Sequence, residues 1–375
     1  MKKLMLSFAA SVAMLSVTAD TRYVATTDSL AEVIAAAQAN DEIILAKGTH
    51  VLGNKAIAIN KALDIHGEGT AEETILDGDH KVGIITITAA DVTLSNLTFC
   101  RLGAANQNGF VQMTADSTIE KVIFTECGGK DISCQNVLKV TAGLVRDCYF
   151  TENVCRYNAG VYLDGPAVVE NCVFVRNTIT MSGGNTQGIV KITGSNDATV
   201  RNCTIANNTL AGTEAALYCS QWKDGVGMVF GKIENCIIWN NVTAAGDVKN
   251  YYTRDGKNPT WINNCISPAT GMPASNFADD PLLDADGMHI TAHSPCKWTA
   301  DPSCATEYDI AGVARGETPS VGAFEYVGKA VMELAVETPE KFIVKLPETI
   351  ELVSIVGGRY VEPLTYAWYF NGASE

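Results

Sequence analysis

The chain of 375 residues is 47% hydrophobic and only 18% charged, a balance that is typical of a packed, sheet-rich protein and excludes a disordered one. Its formal net charge of −15 makes nucleic acids and anionic membranes poor partners. An anionic ligand would therefore need a local basic patch or a bridging cation.

The first residues have the layout of a secretory signal peptide. Lys2 and Lys3 form the charged start, residues 4–15 are an apolar run, and Val17-Thr18-Ala19 is a small-residue cleavage site. We therefore expect residues 1–19 to be removed and the protein to be exported by a bacterium, as a secreted, cell-surface or periplasmic protein. No later apolar run is long enough to span a bilayer.

Residues 29–41 are predicted to form a helix. Ser29 with Glu32 three positions later matches a capping box. Apolar residues then recur with helical spacing at Leu30, Val33, Ile34 and Ala37. We expect this helix to plug the N-terminal end of the fold that follows.

The central part of the chain repeats a strand–bend–strand unit at steps of 24 to 33 residues. One aligned column reads Leu97, Val122, Cys148, Cys172, Cys203, Cys236 and Cys265. Three residues earlier the column reads Leu94, Ile119, Val145, Val169, Val200, Ile233 and Ile262, and two residues later it reads Phe99, Phe124, Phe150, Phe174, Ile205 and Ile238. Because all three columns are apolar, we expect them to point into one core.

The column directly before the cysteines predicts a bend. It holds Asn96, Lys121, Asp147, Asn171, Asn202, Asn235 and Asn264. Asparagine tolerates the left-handed conformation, and its amide can bond to the next copy. Since so short a bend cannot pair a strand with itself, each strand must pair in parallel with the next repeat. With a third strand before each pair, the chain is predicted to be an all-β, right-handed parallel β-helix.

This fold explains two further columns. The stacked cysteines should be buried free thiols, since parallel side-chain directions disfavour disulfides. Two residues before them an outward column alternates in charge, and such pairing on adjacent strands favours the register. Its members are Ser95, Glu120, Arg146, Glu170, Arg201, Glu234 and Asn263.

The chain after the repeats divides into two parts. Residues 277–326 are predicted to cap the C-terminal end, and a disulfide between Cys296 and Cys304 is left open. This part also has an acidic run (Asp279, Asp280, Asp284, Asp286), whose carboxylates either bind calcium or cap turns. Calcium is therefore a candidate cofactor, and the sequence requires no cofactor. Residues 328–375, with Trp368, read as part of an immunoglobulin-like or PKD-like sandwich after a β-helix domain at 20–327.

The repeat, with its asparagine bends and inward stacks, resembles the pectin-lyase-like superfamily over roughly residues 40–270. The tail SPC…DIAGVARG…SVGAFEY is similar to the closing motif of bacterial exported "choice-of-anchor Q" β-helix proteins. The resemblance implies polysaccharide lyases, hydrolases, esterases or non-catalytic surface proteins. The chain lacks the Gly-His-Gly and Arg-x-Lys of polygalacturonases and the calcium cluster and Arg-x-Pro-x-x-Arg-like segment of pectate lyases. No catalytic residue is therefore carried over.

The outward side of the third strand is the candidate substrate face. In the superfamily that the chain resembles, substrates lie along the strand that follows the long loops. The outward columns read Thr86, Gln112, Lys139, Tyr162, Lys191, Tyr218 and then Thr88, Thr114, Thr141, Asp164, Thr193, Ser220. Aromatic rings and hydroxyls suit a sugar chain. The predicted substrate-binding residues are Gln112, Lys139, Tyr162, Asp164, Lys191, Tyr218 and, on the following loop, Trp222.

These residues predict an exported protein that binds an extracellular polysaccharide and processes it by β-elimination. Lys139 and Lys191 should lie about 10 Å apart, near the repeat of a disaccharide, so uronate units are favoured. For a lyase, Lys191 is the candidate base and Lys139 neutralises charge, whereas hydrolysis needs two carboxylates and only Asp164 lies on this face. The alternative is a non-enzymatic adhesion or structural protein whose lysines and tyrosines are plain surface residues, and the oligomeric state is open.

Overall fold

The computed structural model describes residues 19–53, 56–81, 84–103, 109–129, 134–181, 187–193, 197–212, 215–220, 231–253 and 259–328. It adds the short hairpin Tyr369–Phe370 and Ala373–Ser374. Residues 1–18 of the predicted signal peptide, Trp222 and the rest of the predicted sandwich lie outside these ranges. The division into 1–19, 20–327 and 328–375 therefore stays a prediction.

The strands form three long parallel faces, because each strand pairs with its counterpart one coil away. Face A contains β1 (Thr21–Val24), β2 (Glu42–Leu45), β5 (Asp64–Gly67), the first parts of β8 (Thr93–Cys100) and β10 (Thr118–Thr125), β12 (Gly143–Arg146), β16 (Ala167–Glu170), β20 (Thr199–Arg201), β24 (Lys232–Glu234) and β28 (Thr260–Ile262). Face B contains β3 (Gly48–Val51), β6 (Thr74–Asp77), the second parts of β8 and β10, β13 (Tyr149–Thr151), β17 (Val173–Val175), β21 (Thr204–Ala206), β25 (Ile237–Trp239) and β29 (Cys265–Ile266).

Face C contains β4 (Ile57–Ile59), β7 (Ile85–Ile87), β9 (Val111–Met113), β11 (Asn136–Val140), β15 (Asn158–Leu163), β19 (Val190–Thr193), β23 (Leu217–Ser220) and β27 (Tyr251–Thr253). A fourth, short ladder lies at a corner and contains β14 (Val154–Cys155), β18 (Thr178–Ile179), β22 (Thr209–Leu210) and β26 (Val242–Thr243). The predicted all-β parallel β-helix with three main strands per coil is confirmed. Within the described residues, no helix is long and apolar enough to cross a membrane.

The inward columns pack into one continuous core. The phenyl rings of Phe99, Phe124, Phe150 and Phe174 stack at centroid distances of 5.3, 4.7 and 4.7 Å. Cys148, Cys172, Cys203 and Cys236 are fully buried free thiols, and burial raises the pKa of the Cys172 and Cys236 thiols. These thiols thus serve as small apolar residues between coils.

The predicted alignment is wrong by one residue in the last coil. Cys265 pairs with Ile237 instead of Cys236, and Trp261 takes the inward position that was expected for Ile262. The bend with positive φ accordingly falls on Asn263, which was expected to point outward. Asn264 then caps the cysteine stack, since its Oδ1 accepts the Cys236 N–H at 2.8 Å. The slip buries the indole of Trp261 at the end of the core.

The bend column adopts the predicted left-handed conformation, with φ between 48° and 54° from Asn96 to Asn235. The predicted bonding of these amides from copy to copy is seen between Asn171 and Asp147. The buried amide ladder lies elsewhere, five residues after the cysteines, at Asn153, Asn177, Asn208 and Asn241, and it continues to Asn250. From Asn177 onwards, each Oδ1 accepts the main-chain and the side-chain N–H of the preceding asparagine in the ladder, so these buried polar groups are satisfied.

The N-terminal helix α1 (Leu30–Ala36) begins where it was predicted but ends at Ala36 instead of residue 41, and it buries Leu30 and Ile34. The Ser29 side chain, however, makes no capping hydrogen bond. The stabilised end is the C-terminal one: Lys61 Nζ donates to the carbonyls of Ile34, Ala35 and Ala37 at 2.9, 3.0 and 2.6 Å. An ammonium at this end also complements the helix dipole.

The C-terminal part caps the coil and then turns back along its side. Phe277 pairs with Cys265, and residues 300–326, the return segment, run along the bends between faces A and B. The ion pairs Glu120–Arg146 and Glu170–Arg201 of the predicted charge ladder are made. Glu170 and Glu234 are buried beneath this segment, although their outward strand positions alone would leave them exposed.

Contacts in the C-terminal part bear on the cysteine pair and on the acidic run. Cys296 and Cys304 are both free: Cys296 packs beside Cys265, and the Asn235 amide donates to the Cys304 sulfur at 3.4 Å. In the acidic run, carboxylates of Asp280, Asp284 and Asp286 accept main-chain N–H groups one to three residues ahead. These acids cap turns.

Candidate functional site

The predicted substrate-binding residues occupy one row on the outer side of face C. Successive strands pair Gln112 with Lys139, Lys139 with Tyr162, Tyr162 with Lys191, and Lys191 with Tyr218. Because these strands are parallel and in register, each coil contributes one side chain to the row. We call these five residues the Lys–Tyr row.

Alternation along each strand turns the row outward. Leu138 and Val140 on either side of Lys139 are fully buried, and so are Val190 and, at 2% exposure, Ile192 around Lys191. Since successive side chains of a strand point to opposite faces, the lysines between these residues must face away from the core. The apolar core thus positions the two amines.

Tyr162 lies between the two lysines. The Nζ atoms of Lys139 and Lys191 lie 5.1 and 4.7 Å from the centroid of its ring, within the range of cation–π attraction. Lys139 Nζ also lies 3.0 Å from Asp164 Oδ2. Thr193 Oγ1 is 2.8 Å from Tyr162 Oη and 3.3 Å from Asp164 Oδ1, so the hydroxyl holds both groups in place.

Lys191 is the electrostatically unusual member of the row. Burial lowers the pKa of its amine to about 8, the positive charge of Lys139 adds to this effect, and Asp164 opposes it. Burial also raises the pKa of the Tyr162 phenol, which therefore stays neutral at physiological pH. A lysine with this pKa exists partly as the neutral amine near pH 8 and can accept a proton.

Tyr218 differs from the prediction. Its position in the strand faces outward, but the residue is only 1% exposed, and its ring stacks on Tyr252 at 5.5 Å and 8°. The phenol is therefore covered and is not an open platform for a sugar. Its Oη has no hydrogen-bond partner among the described residues.

Tyr252 extends the row by one coil and was missed by sequence reasoning. It pairs with Tyr218 in β27, a strand that the sequence analysis did not assign. The spacing of 34 residues between the two tyrosines, close to the longest repeat step, is the signal that could have found it. Trp222 lies outside the described residues, and so does the side chain of Ser220.

Acidic groups are scarce on this surface. In the described part of the two outward columns, Asp164 is the single carboxylate, and it is already paired with Lys139. Hydrolysis of a glycosidic bond by the common mechanism requires two carboxyl groups on either side of that bond. The described row does not offer that pair.

A different face holds the residues that could bind a metal ion. Three side chains on the outer side of face A each offer one ligand atom, and these atoms lie within 4.8 Å of one another: Glu42, Asp64 and His66. His66 Nε2 is 3.2 Å from Glu42 Oε1, and His66 Nδ1 is 3.0 Å from the Gly67 carbonyl oxygen. This set of two carboxylates and one imidazole could hold a divalent cation, but it is not part of the Lys–Tyr row.

Comparison with known proteins identifies the fold family. The family model described as "Right handed beta helix region" matches residues 64–266, just over half of the chain. The chain belongs to the right-handed β-helix family. This assignment confirms the fold and the handedness that the sequence predicted. A search of curated proteins returned no match for this β-helix protein.

Solved structures resemble this β-helix protein in backbone. They include the pectate lyase Pel9A (15% identity, TM-score 0.44, covering 82% of this chain and 96% of that one). A pectin methylesterase, PemA from Erwinia chrysanthemi, has 14% identity and a TM-score of 0.39 and covers 63% of this chain and 81% of that one. A PL6 alginate lyase in complex with a trisaccharide has 15% identity and a TM-score of 0.39, covering 75% and 62%. At these identities the likeness describes the coiled backbone and assigns no reaction to this chain.

Proposed function

We propose that this exported β-helix protein binds an acidic extracellular polysaccharide along the Lys–Tyr row and cleaves it by β-elimination. The observation that carries the proposal is the pair of amines around Tyr162, of which Lys191 has a pKa lowered to about 8. One amine that can be neutral beside one that is charged supplies both a base and a counter-ion. Export rests on the signal-peptide pattern of residues 1–19.

Binding would use the two lysines and the ring between them. Lys139 and Lys191 are separated by one strand, so their backbones lie about 10 Å apart, near the length of a disaccharide unit. Two amines at this spacing can meet the carboxylates of alternate uronate residues. Tyr162 offers a flat apolar surface for a sugar ring, with its hydroxyl tied to Thr193.

The reaction would break the C4–O4 bond by elimination, so water is not added across it. The neutral Lys191 amine takes the proton from C5 of a uronate, and the electron pair of that C–H bond forms the C4–C5 double bond. The C4–O4 bond then breaks, and O4 leaves with the departing chain after gaining a proton from solvent. Lys139 would neutralise the substrate carboxylate, which would replace the Asp164 carboxylate as the partner of the ammonium group.

Elimination is favoured over hydrolysis by the composition of the row. The described row has two amines and a single carboxylate, whereas a hydrolase of the common type needs two carboxyl groups at a set separation. Elimination needs one base and one stabilising cation for the developing negative charge. The row has both groups, two coils apart on either side of Tyr162.

The test is the ultraviolet absorbance of the new double bond, measured with the full chain on pectate, alginate and glycosaminoglycan polymers, with and without calcium. We expect activity that falls about 10²–10⁴-fold in Lys191→Ala, the usual contribution of a positioned base. Lys232→Ala, an exposed lysine on face A, is the matched control and should keep full activity. Absence of absorbance with every acidic polymer would exclude the lyase.

A second function is favoured by the Lys139–Asp164 ion pair. This pair already neutralises one of the two amines, as expected of a surface ladder in a non-enzymatic adhesion or structural protein. A glycan array separates the alternatives if no cleavage is found. A binder should lose affinity on Tyr162→Ala, whereas a scaffold should bind none of the glycans.

A further inference from the structure

The buried cysteines differ in what their sulfur atoms contact. In the cysteine stack, the thiols of Cys148, Cys172 and Cys203 each donate to the main-chain carbonyl two residues earlier, at 3.0, 3.2 and 3.2 Å. Cys127 donates to the Phe99 carbonyl at 3.6 Å. Cys134 also has a main-chain partner, the Asn136 carbonyl at 3.3 Å, so main-chain bonding alone does not distinguish it from the others.

Cys134 and Cys155 contact each other. Their sulfur atoms are 2.8 Å apart, and both residues are fully buried. Their main chains are also paired on adjacent coils, because the Arg156 N–H donates to the Cys134 carbonyl at 3.0 Å. Adjacent parallel strands lie about 5 Å apart, a spacing within the Cα–Cα range that a disulfide requires.

We propose that Cys134 and Cys155 form a disulfide when the protein folds in an oxidising compartment. Each thiol loses one proton and one electron, the sulfur–sulfur bond forms, and a disulfide of the oxidant takes up both electrons and both protons and becomes two thiols. The oxidant is a small-molecule or protein disulfide, acting by thiol–disulfide exchange. Because both sulfurs are buried, the bond forms before the coil closes over them.

The disulfide would tie together two strands of the Lys–Tyr row. Cys134 precedes β11, which carries Lys139, and Cys155 precedes β15, which carries Tyr162. Next to the two cysteines, the Asn158 N–H donates to the Gln135 carbonyl at 2.8 Å and already joins the two coils. A covalent link at this point fixes the register in which Lys139 faces Tyr162. The proposal does not depend on any activity of the row.

The test is peptide mapping of the full chain. The protein is denatured and reduced, refolded in a mixture of reduced and oxidised glutathione, denatured again without reductant, and alkylated with N-ethylmaleimide. We expect two of the twelve cysteines to escape alkylation and one cross-linked pair of peptides to contain Cys134 and Cys155. Alkylation of all twelve, or a cross-link between Cys127 and either of them, overturns the proposal.

Variants give an independent check. In Cys134→Ser the sulfur of Cys155 should become fully alkylated with no new cross-link, and Cys155→Ser should free Cys134 in the same way. Cys219→Ser, which removes a buried thiol from the inner side of face C, is the control and should leave the cross-link intact. Retention of a disulfide at Cys155 in Cys134→Ser would contradict the assignment. The mapping of the unmutated chain decides the question if a variant does not fold.

Discussion

At the scale of single residues, the pKa of the Lys191 amine is set by the residues around it in the folded structure. Lysine at an outward strand position is ordinary, and its amine would normally keep a proton well above neutral pH. Burial lowers the pKa to about 8, with Asp164 and Lys139 acting in opposite directions. Those two residues come from coils that are distant in sequence, so the effect exists only in the folded chain.

The pH dependence of cleavage follows from this pKa. If the neutral Lys191 amine is the base, kcat/KM should rise with pH and level off above about pH 8. Asp164→Asn removes the charge that raises the pKa, so the midpoint should move to lower pH. Lys139→Ala removes the charge that lowers it, so the midpoint should move to higher pH. Rate profiles of the three proteins measure this, and shifts in the same direction would contradict the role of Lys191.

The same group also links stability to pH. The folded pKa of about 8 lies below the ordinary 10.5, so between these values the unfolded chain binds more protons than the folded one. The contribution of Lys191 to the free energy of unfolding therefore rises with pH across that interval. Lys191→Met should lose this rise in urea titrations at several pH values.

At the scale of elements, the return segment folds around one buried cation. The Arg315 side chain is only 1% exposed and lies 3.3 Å from the Glu325 carboxylate. It also donates to the carbonyls of Ser320 and Gly322 at 2.9 and 2.8 Å and reaches Asn171 in the bend column. The motif from which the sequence analysis expected only a cap thus fastens the segment to the side of the coil.

Replacing this cation should loosen the segment. Arg315→Ala removes the counter-ion of the buried Glu325 carboxylate and the donor to the Ser320 and Gly322 carbonyls, and we expect it to lower the free energy of unfolding by about 3–5 kcal/mol. Lys47→Ala, which removes an exposed ion pair with Glu73, is the control and should leave the denaturation midpoint nearly unchanged. Guanidinium titrations provide the measurement. Equal effects of the two substitutions would show that the segment is not held through Arg315.

At the scale of the whole molecule, one core runs along the coil and both ends need cover. The main cluster of buried side chains extends from Val24 to Ile266 and includes Leu30 and Ile34 of α1. At the other end Trp261 and Phe277 close the last coil. An uncovered end exposes apolar surface and unpaired strand edges, which promote association with another chain.

Disrupting helix α1, which covers the N-terminal end of the core, should therefore cause self-association. Ile34 is 2% exposed, and Ile34→Asp should cost at least the roughly 2–5 kcal/mol that is typical of Ile→Ala in a core. Ala35→Asp places the same charge on the exposed side of α1 and should leave the protein monodisperse. Light scattering after size-exclusion chromatography distinguishes the two. An unchanged mass and melting temperature for Ile34→Asp would show that the helix does not seal the coil.

The sequence by itself determined the coil, because its apolar columns have a fixed register and a slip within a strand would turn every core side chain to solvent. That register also placed Lys139, Tyr162 and Lys191 in one row. Only the tertiary structure decided the slip at Trp261, the burial of Tyr218 and the path of the return segment. These features depend on packing between residues far apart in the chain, and so does the lowered pKa of Lys191, which local patterns do not encode.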